Sequence, residues 1–65
     1  MKAIKIISIM NHGGEYAISV TYNQADESGK IIRKNAKSQT FYAVGDLLEN
    51  IKVIESMITG KLEEN

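Results

Sequence analysis

Cysteine is absent from the 65 residues, and with it disulfides and thiol chemistry. The single histidine, His12, has no cysteine or second histidine to complete a structural zinc site. A chain this short removes only about 60% of its unfolded surface from water on folding, and small scaffolds usually add a disulfide, a metal or a partner subunit. With the first two excluded, association with further copies is the expected supplement. The lack of cysteine fits an intracellular protein. A long apolar run is also missing. The opening stretch MKAIKIISIM is too short, and too interrupted by Lys5, to span a membrane. No small-residue cleavage site follows it as in a signal peptide. It reads as a strand, and the chain as soluble and cytoplasmic, with no membrane partner and no cofactor.

An excess of charge is lacking too. The formal net charge is zero, which argues against strong non-specific attraction to nucleic acid. The charges are nonetheless unevenly placed. Before position 46, Lys2, Lys5, Lys30, Arg33, Lys34 and Lys37 outnumber Glu15, Asp26 and Glu27. From there on, Asp46, Glu49, Glu55, Glu63 and Glu64 outnumber Lys52 and Lys61. The first part is basic and the last part acidic.

What is present is one stretch with a clear helical period, Asp46 to Thr59. Asp46 is placed to cap it, with Glu49 at the capping-box spacing and both acids at the positive end of the helix dipole. Gly60 is placed to stop it in a left-handed conformation, followed by Lys61. On a 100° wheel Val44, Leu47, Leu48, Ile51, Ile54, Ile58 and Leu62 form one apolar stripe, with Glu55 among the residues set elsewhere. Val53 and Met57 fall outside the stripe and, at i and i+4, touch each other.

Residues 2–10 are rich in isoleucine, but Ile4 and Ile6 have one parity and Ile7 and Ile9 the other. Either a bulge lies near Ile6–Ile7 or both faces of this strand are covered. Asn11-His12-Gly13-Gly14 is a hairpin turn signal. Residues 15–23 alternate, with Tyr16, Ile18, Val20 and Tyr22 on one face and Glu15, Ala17, Ser19 and Thr21 on the other. After the polar loop 23–29, a third extended segment covers about 30–42, with a bend expected at 35–38 and residues 39–42 as its end or a short fourth strand. The expected fold is α+β: a three-stranded antiparallel meander packed on one C-terminal helix, strands about 2–10, 15–23 and 30–42, helix about 46–59 and a frayed tail at 63–65, all in a single domain.

No constellation of residues supports catalysis. His12 beside two glycines reads as a turn residue. Gly13-Gly14 is followed by a strand, where a phosphate loop needs a helix. Asp26-Glu27 and Glu63-Glu64 are adjacent acids in a loop and a tail, and the serines have no nucleophile motif. The chain therefore reads as a non-enzymatic interaction or accessory protein acting as a homodimer or larger assembly. Its size suggests the small factors carried by phages and mobile elements. The expected dimer surface comprises Ile7, Ile9, Val53 and Met57, which one helix and three strands cannot all cover.

The alternative is a DNA-binding module that uses the basic hairpin arm, with Lys30, Arg33, Lys34 and Lys37 contacting phosphates. The competing reading of that arm is a charged edge that discourages aggregation. Gly14-x-Tyr16, Tyr22, Ser28-Gly29-Lys30, Lys34 and Phe41 ahead of a helix, over roughly residues 14–58, resemble the arm-type, three-strand-plus-helix DNA-binding domain at the N-terminus of phage tyrosine recombinases. The resemblance implies base reading in the major groove by the sheet. The zero net charge departs from the basic character usual in such modules.

Overall fold

A computed structural model describes residues 1–64. Strands β1 (Lys2–His12), β2 (Glu15–Ala25) and β3 (Ile31–Lys37) form an antiparallel sheet in the order β1-β2-β3. A two-residue strand β4 (Phe41–Tyr42) pairs with β2 as well, and helix α1 (Gly45–Glu63) closes the chain. The α+β, three-strands-then-helix expectation is met.

β1 and β2 turn through Gly13 and Gly14, whose φ values of 71° and 103° are the positive pair that a type I′ hairpin requires. The Asn11 side-chain oxygen accepts from the Gly14 N–H at 2.7 Å and locks the turn. Both strands run two residues further than the sequence pattern suggests, because the ladder continues from His12↔Glu15 at the turn to Lys2↔Gln24 at the far end. Between Ile4 and Ile6 the register slips, leaving Lys5 as an extra residue. This bulge resolves the parity conflict in the isoleucines. Ile4 sits opposite Tyr22, Ile7 opposite Val20 and Ile9 opposite Ile18, so all three share the face of β2 that carries Tyr16. Ile6, Ser8 and Met10 take the opposite, outer face with Thr21, Ser19 and Ala17.

The third extended segment is one strand interrupted. β3 pairs with β2 from Ala25 to Thr21, and β4 pairs with the same edge at Ile18 and Ala17. Ser38 bridges the gap: its N–H donates to the Val20 carbonyl and its hydroxyl accepts from the Val20 N–H, each at 2.9 Å. The expected bend falls at the start of its range, at Asn35, whose φ of 55° is one asparagine tolerates. The Asn23 side chain accepts the Asn35 N–H at 3.0 Å, and the Lys5 ammonium donates to the Asn35 side-chain oxygen at 2.8 Å. Before β3, the Asp26 carboxylate accepts from the Ser28 N–H and hydroxyl and from the Lys30 N–H.

Helix α1 departs from expectation at both ends. Its N-cap is Val44, with no side-chain cap bond, and Asp46 lies inside the first turn. The Ala43 N–H is tied to the Tyr16 carbonyl at 3.0 Å, and Gly45, with φ of 61°, swings the chain off the sheet one residue before aspartate could cap. At the other end Gly60 does not stop the helix, which runs on to Glu63 with Glu64 as C-cap. Leu62 continues the apolar stripe four residues after Ile58, and Lys61 pairs with Glu64 at 3.4 Å. Of the tail expected to fray, Glu63 is helical, and Asn65 lies outside the described residues.

The core is small. Tyr16, Ile18, Ala43 and Ile51 are buried together, with Val20 and Leu48 partly buried against them. Ile51 is the one buried residue of the helix, at 4% exposure. Apart from the partly buried Leu48, the rest of the stripe, expected to lie against the sheet, stays exposed: Leu47, Ile54, Ile58 and Leu62 among them. The radius of gyration is 14.8 Å, against about 11 Å for a compact chain of this length.

Candidate interaction site: the open trough between helix and first strand

α1 crosses the sheet above β2, where Ile51 meets Tyr16 and Ile18. Beside this contact lies an open trough that spans β1 and β2 and reaches β4 at one end. One half, of about 230 Å³, lies among Ile9, Tyr16, Ile54, Ile58 and Leu62. The other half, of the same size, lies among Ile7, Val20, Phe41 and Leu47. The halves share Ile9, Ile51 and Ile54. The lining is mainly aliphatic, with Tyr16, Phe41, Glu55 and Thr59 beside the aliphatic residues, and its outer members are wet: Ile7 is 57% exposed and Ile54 46%.

A polar clamp holds the trough at the hairpin end. The Tyr16 hydroxyl donates to one Glu55 oxygen at 2.7 Å. The Asn11 amide donates to the other at 3.0 Å and to the Tyr16 oxygen at 3.3 Å. These bonds, Tyr16 first and Asn11 second, hold the Glu55 carboxyl below its ordinary range despite a smaller opposing cost of burial. The same bond pushes the Tyr16 phenol upward, aided by desolvation and by the Glu55 charge. Glu55 follows Ile51 by four residues and so lies on the sheet-facing side of the helix. The sequence reading, which set it elsewhere, missed the clamp. The four-residue spacing was the available signal.

The four residues proposed for a dimer surface separate. Ile7 and Ile9 both line the trough, with Ile7 in one half and Ile9 in both. They are therefore on the helix-facing side of the sheet and not on its second face. Met57 is 68% exposed, lines neither half of the trough and lies 40° around the helix from Val53. Val53, 58% exposed, points away on the far side of the helix. The four basic residues also separate. All are exposed. Lys30 lies in the loop before β3, and Lys34 sits where the β2–β3 register is broken. Arg33 pairs opposite Gln24 and Lys37 opposite Thr21. Those partners have opposite parity on β2, so the two cations take opposite faces.

Among the described residues no group of three His, Asp or Glu is placed to hold a metal ion, and no helix is long and apolar enough to cross a membrane. Compared with protein-family models, curated proteins and solved structures, the chain has no match in any of the three.

Proposed function

We propose that this chain is a non-catalytic interaction protein that works as a homodimer, with the α1–β1 trough as the surface it buries. One observation carries the reading. The chain exposes 5351 Å², whereas a folded monomer of 7.2 kDa is expected to expose about 4,100 Å². The excess, about 1,200 Å² per copy, exceeds the roughly 800 Å² that each partner contributes to a standard interface. Among the exposed large hydrophobics, Ile7, Ile9, Ile54, Ile58 and Leu62 line the trough, where water-exposed apolar surface costs stability that a second copy recovers. Folding coupled to association makes the melting temperature depend on protein concentration. The melting temperature is therefore expected to rise by several degrees as the chain is concentrated a hundredfold. A melting temperature independent of concentration contradicts the reading.

A second reading keeps the basic arm as a nucleic-acid contact. It is favoured by the exposure of Lys30, Arg33, Lys34 and Lys37. Binding of duplex DNA that weakens steeply with salt and is lost in the joint Arg33→Glu, Lys34→Glu, Lys37→Glu variant supports this alternative. The absence of binding at low salt removes it.

A further inference from the structure

We propose that two copies join along β1, edge to edge and antiparallel about a two-fold axis through Ser8, so that one sheet runs through both and the two troughs face each other. This rests on the self-association read above and names the surface that carries it. β1 is an end strand of the sheet, 11 residues long and exposed throughout. A long apolar edge is a template for strand addition unless something blocks it. Of the usual guards, the strand carries one bulge, at Lys5, which lies outside residues 6–10. The strand contains no proline. The bulge lysine, Lys5, sends its ammonium across β2 to Asn35, away from the free edge.

Hydrogen bonding and side-chain chemistry fix the register. His12 and Glu15 flank a two-residue hairpin and so form a hydrogen-bonded pair, and such pairs alternate along the ladder. Ile7, Ile9 and Asn11 therefore aim their N–H and C=O groups outward. An axis at Ser8 sets Ile7 opposite the partner's Ile9, exchanging those bonds. On the outer face it sets Ile6 opposite the partner's Met10. Moving the axis to Ile9 puts Ile7 against Asn11, and moving it to Ile7 puts Ile9 against Lys5. Only the Ser8 axis matches apolar with apolar on both faces. The axis is perpendicular to the sheet, so both helices stay on one side. Ile54 and Ile58 of each copy then form the two walls of a single channel floored by Ile7 and Ile9.

The chain has no cysteine, so one introduced thiol reports on one position. With the axis at Ser8, Ser8→Cys faces itself in a non-hydrogen-bonded pair with Cα atoms about 4.5 Å apart, within disulfide reach. Met10→Cys, on the same face, lies about 13 Å along the strand from its own copy. Both variants are sedimented reduced and then oxidised mildly at micromolar concentration. Ser8→Cys is expected to cross-link at least tenfold faster than Met10→Cys. Two dimeric variants that cross-link equally, or Met10→Cys cross-linking faster, overturn the edge pairing and leave self-association standing. Monomeric variants overturn both. Hydrogen exchange on the unaltered chain guards against a misfolded variant. The Ile7 and Ile9 amides are expected to exchange at least a hundredfold more slowly in concentrated than in dilute solution. Equally fast exchange at both concentrations overturns the pairing.

Discussion

Ile51 is where α1 is held to the sheet, and its surroundings set what its loss costs. It is buried against Tyr16, Ile18 and Ala43, with an open trough on one side. Truncating a buried isoleucine to alanine costs about 2–5 kcal/mol, and a site bordering solvent falls at the lower end. Ile51→Ala is expected to lower the urea midpoint accordingly. Ile51→Asp, which buries an unpaired carboxylate, is expected to abolish cooperative unfolding. The Glu55 clamp adds a pH dependence. The Glu55 carboxyl is held below its ordinary range, so its contribution is complete above the unfolded value of about 4.3 and is lost as pH falls through the folded one. The Tyr16 phenol is raised, so its contribution is present below about pH 10 and lost as pH rises through its folded value. Tyr16→Phe is expected to flatten both limbs of the stability profile between pH 3 and 11, measured by chemical denaturation. An unchanged profile contradicts the clamp. Tyr16, Ile18 and Ile51 were legible in the sequence because period-2 and 3.6-residue patterns both announce a core. The clamp was not, because Glu55 finds its partners 39 and 44 residues away.

Two glycines distinguish the helix observed from the helix the sequence suggests. Gly45 has positive φ and stands where the chain leaves the sheet, and a Cβ there would meet no atom within 4 Å. Gly45→Ala therefore adds only backbone strain, about 1–2 kcal/mol. Gly60 is interior to the helix with the same free space, so Gly60→Ala is expected to stabilise by about 0.5–1 kcal/mol. Thermal melts of the two variants should move in opposite directions, and a destabilised Gly60→Ala would restore the helix stop read from the sequence. Glycine before charged residues marks a terminus in isolation, but Leu62 extends the stripe and outweighs it. In the sheet, the clash of parities in β1 was itself the signal of a bulge. The sequence left open whether a bulge or a second cover explained it, since register depends on the partner strand. The slip at Lys5 settles it and moves Ile7 and Ile9 to the helix side.

For the molecule as a whole, surplus apolar surface was foreseeable from the number of large aliphatic residues. Its location was not, because the sequence does not say over which strand the helix lies. With α1 above β2, part of the surplus, Ile7, Ile9, Ile54 and Ile58, lines the trough, and the rest is spread over β3, the outer sheet face and the far side of the helix. Ile9→Lys, on the trough floor, is expected to shift the chain towards monomer, whereas Val53→Lys, on the far side of the helix, leaves association unchanged. Equal effects would remove the trough from the interface. The most direct measurement is sedimentation equilibrium of the unaltered chain across the micromolar range. A self-associating chain is expected to approach twice its 7.2 kDa mass as concentration rises, and a 7.2 kDa species throughout would contradict it.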